Sequence, residues 1–161
     1  MESETINEVT ELLDEFGDLN ARILKTNFSG IIKIETVLEI SDLVEKFRGK
    51  IENEPWEIRY CSRIIPIQKT CQTDLAIIKK NITELISVIN SNETYKISID
   101  RRDSELIRSE IISNIAELLT NSVSLEKPDW EIIIQILGSE TGISVMPKNS
   151  ILSVTRLKRL D

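Results

Sequence analysis

The chain has 161 residues, 40% of them apolar and 29% charged, and a net charge of −7. These are the values of a soluble globular protein, with room for one compact domain or two small ones. It contains no histidine and only two cysteines, Cys61 and Cys71. That removes the commonest general base, every Ser-His or Cys-His nucleophile pair and most zinc sites, and leaves two reduced thiols as the expected state. No run approaches the roughly 20 apolar residues of a membrane span, and the acidic start lacks the order of a secretion signal, so the expected location is cytoplasmic.

In chain order, Ile6, Val9, Leu13 and Phe16 recur at helical spacing, Thr5 and Glu8 form a capping-box pair, and Gly17 follows as a stop. Two β-rich runs, 21–26 and 31–37, flank the turn-forming Asn27-Phe28-Ser29-Gly30, which predicts an antiparallel hairpin. A second helix starts near Ser41, carries Leu43, Phe47 and Ile51 on one face, and is stopped by Pro55. Residues 56–67 resume in β style. From Thr70 the spacing of Leu75, Ile78, Ile82, Leu85 and Ile89 predicts a helix ended by Asn90-Ser91-Asn92. Tyr95, Ile97 and Ile99 alternate with Lys96, Ser98 and Asp100, the pattern of a half-buried strand. Asp103 or Ser104 is placed to cap a helix with Ile107, Ile111, Ile115 and Leu118 on its apolar stripe. The near-continuous apolar run 130–137 predicts a strand buried on both faces. Residues 138–142 turn it back into 143–146, and a short strand at 151–154 is expected to close the sheet. Trp56 and Trp130, both in apolar runs, are expected in the core.

Charge is unevenly placed. Residues 1–59 hold seven Lys/Arg against fourteen Asp/Glu, whereas 60–161 hold thirteen of each. The second half is therefore the part able to meet an anionic partner. Arg101 and Arg102 stand where a strand runs toward a helix start, and Lys96 lies on the polar face of the same strand. Guanidinium groups bind phosphate in a two-pronged way, and helix-start amides add donors; a solvated surface ion pair between Arg102 and Asp103 is the plainer reading. Lys148, Arg156, Lys158 and Arg159 form a second basic patch near the end of the chain. Aromatic residues are too sparse for a base-stacking platform. There is no Gly-rich phosphate loop, nucleophile elbow or other catalytic constellation, and no metal site or cofactor is expected.

The run Tyr95-Lys96-Ile97-Ser98-Ile99-Asp100-Arg101-Arg102-Asp103-Ser104-Glu105-Leu106-Ile107-Arg108-Ser109-Glu110-Ile111-Ile112, continued by 130–138 and by Thr141-Gly142-Ile143-Ser144-Val145-Met146, resembles the THUMP domain. Tyr60-Cys61-Ser62-Arg63-Ile64-Ile65-Pro66-Ile67 looks like that domain's opening strand. Residues 6–59, with Gly30-Ile31-Ile32-Lys33-Ile34 and Glu54-Pro55-Trp56, resemble the ferredoxin-like domain that precedes THUMP in tRNA-modifying proteins. The resemblance implies an α+β (α/β) chain, with a ferredoxin-like domain over 1–59 lacking its first strand and a THUMP domain over 60–161. THUMP domains are tRNA-binding modules that hold the acceptor stem and its CCA end, usually fused to a modifying enzyme. With nothing fused here, the chain is most similar to the stand-alone members. Those act as tRNA-binding adaptors for the RNA cytidine acetyltransferase that makes N-4-acetylcytidine. The resemblance strengthens Arg101 and Arg102 as RNA contacts and adds Arg63, Lys69 and Lys148. The alternative is a protein-interaction module whose acidic half docks a partner, and an enzyme in its own right ranks last.

Overall fold

The computed structural model describes residues 2–159. In chain order it contains α1 (Glu2–Phe16), β1 (Arg22–Lys25), β2 (Ile32–Glu35), α2 (Ile40–Asn53), β3 (Arg63–Ile64), β4 (Lys69–Gln72), α3 (Leu75–Leu85) and β5 (Tyr95–Arg102). These are followed by α4 (Arg108–Ala116), β6 (Trp130–Leu137), β7 (Glu140–Pro147), β8 (Leu152–Ser153) and α5 (Val154–Lys158). The mixed α/β class expected from the sequence is the one observed. Two compact units divide the chain: the first runs to Pro66 and resumes at Ile151, and the second is Ile67–Ser150. The expected halves met at residue 59 instead, with the tail in the second half. The tail falls to the first unit because β8 pairs antiparallel with β3, Arg63 opposite Ser153 and Ile64 opposite Leu152. No helix among the described residues is long and apolar enough to cross a membrane.

The second unit is built on one sheet of strand order β4-β7-β6-β5, in which β5 and β6 run parallel and the other neighbours antiparallel. A parallel pair needs a crossover, and α4 lies within it. Strand β6 is interior to the sheet, with β5 on one edge and β7 on the other, and Ile132, Ile133, Ile134 and Ile136 on its two faces are all fully buried. On one face of the sheet Tyr95, Ile99, Ile132, Ile134, Ile136, Ile143 and Val145 join Ile78 and Ile82 of α3 and Ile111 and Ile115 of α4 in a single core. Trp130, expected in the core, is half-buried and packs at its edge, its indole N–H donating to Glu93 Oε1 at 3.0 Å.

Several boundaries differ from expectation, each for a local reason. The helix expected from Thr70 starts at Leu75, because Lys69–Gln72 add to the sheet edge beside β7 and Asp74 is the cap, accepting from the Ile77 N–H at 3.1 Å. The expected five-residue turn at 138–142 is two residues, Gly138-Ser139: Leu137 already pairs with Glu140, and Gly138 takes the positive φ of 62° that such a tight hairpin requires. Gly142 lies inside β7 beneath Ile67; a Cβ there would stand 2.9 Å from Ile67 Cδ1.

In the first unit, β1 and β2 form the expected hairpin, with Gly30 at φ 82° in the turn. Helix α1 begins at Glu2, so Thr5 and Glu8 lie inside it and form no capping box. The Glu8 carboxylate instead accepts the backbone N–H groups of Arg59, Tyr60 and Cys61. Helix α2, expected from near Ser41, starts at Ile40 and is capped by Glu39, which accepts from the Asp42 N–H at 2.8 Å. Leu13, Phe47, Ile51 and Ile58 are buried at the centre, where the Phe16 and Phe47 rings meet edge to face at 5.1 Å. Lys50 is buried between Glu15 and Glu54, 2.7 and 2.8 Å away, and these carboxylates raise its ammonium to about 12.

Residues 56–67 do not form the expected β run. Pro55 sets a helical φ at the start of a 3-10 turn, Pro55–Glu57, which leaves Trp56 60% exposed instead of in the core. Only Arg63–Ile64 is strand. Consequently the element after α2 does not join β1 and β2, which among the described residues pair with each other alone. The order α1-β1-β2-α2 is that of the ferredoxin-like expectation, again without a leading strand among the described residues. The tail strand expected to close the main sheet is β8, which pairs with β3 instead and leads into α5.

Candidate nucleic-acid interface

Strand β5 extends two residues past Asp100, so Arg101 and Arg102 are paired strand residues, opposite Ile136 and Leu137. Successive strand side chains point to opposite faces. Arg101 shares its parity with the core residues Tyr95 and Ile99, so it leans to the helix-covered face, where its Nη1 donates to the Leu106 carbonyl. Arg102 shares the other face with Lys96, Ser98 and Asp100. The two arginines therefore cannot close on one phosphate as a single fork.

The helix N-terminus expected beside them is also displaced. Asp103 turns the chain at a positive φ of 53°, the Ser104 hydroxyl accepts from the Leu106 N–H, and α4 opens only at Arg108, after Ile107, whose side chain caps nothing. Five residues separate Arg102 from α4, so the helix-start amides lose their part in the expected phosphate site. Arg108, which the sequence reading passed over, donates from Nη1 to the Ile99 carbonyl at 2.9 Å. With Arg101 it clasps both ends of the β5–α4 connection. The recurrence of arginine seven positions apart across a strand-to-helix junction was the available signal.

The remaining basic candidates are distributed widely. Lys96 stands 3.8 Å from Glu131, which also accepts the Ser98 hydroxyl. Lys148 follows Pro147 at the same end of the sheet, its N–H donating to the Asp129 carbonyl at 3.1 Å. The Asp129 carboxyl is held below its usual range by the Thr94 N–H, with Lys148 adding to the effect. Lys96 and Arg102 are about 20 Å apart along the strand, at roughly 3.3 Å per residue. The sheet thus has one cationic end at Lys96 and Lys148 and another at Arg101 and Arg102, with no single cluster. Lys69 projects toward α3, paired with Glu84, whose carboxyl it pulls below its ordinary range.

Arg63, Arg156 and Lys158 belong to the first unit. Arg63 is exposed on β3, and Arg156 is exposed in α5. Lys158 is half-buried, its ammonium donating to the Ile58 carbonyl. Residues 154–158 of this basic stretch thus form a short helix. Burial, with help from Glu8, pushes the Cys61 thiol up to about 11, and burial raises Cys71 too, so neither is an activated nucleophile at neutral pH.

The THUMP domain family matches residues 72–146. An uncharacterised protein of Methanocaldococcus jannaschii is 22% identical over 98% of this chain and 41% of its own length. Among solved structures, PH1313 from Pyrococcus horikoshii Ot3 superposes with a TM-score of 0.67 at 16% identity, over 92% of this chain and 51% of that one. TrmN from Thermus thermophilus does so at 0.60 and 11%, over 89% and 43%. A 4-thiouridine synthetase solved with RNA and bound ATP gives 0.55 and 13%, over 92% and 39%. The chain thus spans about half or less of the length of each of these proteins. The family match runs from the last residue of β4 through most of β7 and takes in both arginines of β5: residues 72–146 match the THUMP domain.

Proposed function

We propose that this chain binds tRNA at its acceptor stem and CCA end and presents it, in the cytoplasm, to a separate modifying enzyme. The enzyme is an RNA cytidine acetyltransferase making N-4-acetylcytidine, and the chain performs no chemistry of its own. The observation that carries the reading is the THUMP match over 72–146, because it covers the sheet on which Lys96, Arg101 and Arg102 are held. Support also comes from the raised thiols and from a sequence without histidine, which leave few groups suited to acid-base or nucleophilic work. In this reading the N-terminal 59 residues act as the ferredoxin-like domain of a two-domain tRNA binder.

The cations contact phosphates individually. Arg102 is exposed, and no described residue pairs with its guanidinium, so it meets a phosphate without first giving up a partner. Lys96 and Lys69 must exchange Glu131 and Glu84 for RNA, which lowers what each adds. The test is a mobility shift of the purified chain with intact tRNA beside tRNA lacking its CCA end. A shift at low salt that weakens when CCA is removed is the expected result; no shift at low salt refutes the proposal.

A further inference from the structure

Helix α1 aligns Glu4, Glu8 and Glu11 on one face, at the i, i+4, i+7 spacing that stacks side chains. That face is one wall of a groove of about 350 Å³ within the first unit; the other wall is Trp56, Glu57 and Tyr60. The groove is held open by covalently distant parts of the chain tied together: Glu8 takes three consecutive backbone N–H groups, from Arg59 to Cys61, and so fixes the second wall against the first. Arg59 is the cation among the lining residues, and its Nε is engaged by the Trp56 carbonyl at 3.2 Å.

The aromatic rings at this place need an explanation. The chain has only seven Phe, Trp and Tyr residues; Phe47 and Tyr95 are buried and Trp130 half-buried, yet Trp56 is 60% and Tyr60 42% exposed, side by side in the same groove. Leaving a large ring in water forgoes roughly 2 kcal/mol of burial. Aromatic faces attract cations, and four surrounding carboxylates reinforce that preference while repelling phosphate. The occupant that satisfies both features has hydrocarbon stems to cover the rings and positive charges to meet the carboxylates.

We propose that this groove docks a lysine- and arginine-rich segment of a partner protein, with one basic side chain laid over Trp56 and Tyr60 and its neighbours paired to Glu11 and Glu57. The inference goes beyond tRNA binding and does not rest on it, since the groove belongs wholly to the first unit and the THUMP match to the second.

The probe is a short peptide of alternating glycine and arginine, titrated into the full ¹⁵N-labelled chain at physiological salt. Shifts should concentrate on the Trp56 indole N–H, on the amides of 4–11 and on Tyr60, and saturate together. Trp56→Ala should weaken binding about fivefold, the worth of one exposed cation–π contact, and Trp56→Phe should restore most of it. Glu11→Gln with Glu57→Gln should weaken binding. Asp14→Asn with Glu52→Gln, which removes the same charge from exposed positions outside the groove, should not. The proposal is overturned if no peptide binds, if shifts spread evenly over the acidic surface, if Trp56→Ala binds as tightly as the parent, or if the control pair weakens binding as much as the groove pair. Mobility shifts with tRNA on the same variants should be unchanged, so the two readings fail separately.

Discussion

In the second unit, three eight-residue strands and two helices gather one isoleucine-rich core, whereas the first unit has, among the described residues, two short strand pairs and ties its segments with charged side chains. Glu8 holds the turn after α2, Asp18 holds the end of β2, and Lys50 joins Glu15 to Glu54. The contrast also corrects a charge argument. Cut at residue 59, the chain divides into an acidic and a neutral half. Cut where it folds, the first unit holds eleven Lys/Arg against fifteen Asp/Glu and the second nine against twelve. Their net charges are −4 and −3. Net charge therefore does not single out either unit as the one proposed to bind RNA; that proposal rests on a few cations along β5 and after β7.

The largest expected effect is on the apolar core. Ile134→Ala, at the centre of β6, should cost roughly 2–5 kcal/mol in urea unfolding, and Phe47→Ala in the first unit roughly 3–5. A loss well below that for Ile134 would contradict the account of a single close-packed core in the second unit. Next come two glycines with opposite signs. Gly142→Ala, pressed against Ile67, should destabilise by about 1–3 kcal/mol. Gly49→Ala in α2, where nothing lies within 4 Å of the added carbon, should stabilise by about 0.5–1 kcal/mol.

A smaller effect separates the charged ties from the apolar core. The Thr36 hydroxyl, with the Asn20 and Val37 N–H groups, holds the Asp18 carboxyl below its usual range. Its contribution is therefore complete above the unfolded value of about 3.9 and is lost as pH falls through the lower folded value. The gap in urea midpoint between the parent and Asp18→Asn should be full at neutral pH and close on acidification. A gap that persists in strong acid would show that the carboxylate's charge is not what Thr36 and Val37 require.

The sequence exposed these features unequally. The Ile-rich β6 run, the β1–β2 hairpin and the helical stripe of α3 were legible, because each element carries its own periodicity. Strand β4 was not: Lys69–Gln72 is a strand only because β7 lies beside it, 68 to 74 residues later in the chain. Trp56 misled for the opposite reason, since an apolar residue promises burial only where a partner surface exists, and Pro55 turns the chain before one is reached. At the candidate site, the arginine pair and Lys96 were visible as residue types in a strand. Their opposed faces followed from strand parity once β5 was seen to extend to Arg102, and that extension is set by pairing with β6.

The smallest predicted effects are single phosphate contacts. Because Arg101 and Arg102 face opposite sides, their alanine variants should act additively on tRNA affinity rather than as one lost fork, and Arg102→Ala should have the larger effect, since Arg101 is held to Leu106. The most direct test of the central claim is the affinity of the full chain for tRNA measured against salt. The account predicts a steep linear fall of log affinity with log salt, with the slope reduced by about one in Arg102→Ala. A slope near zero, or an identical slope in that variant, would contradict it.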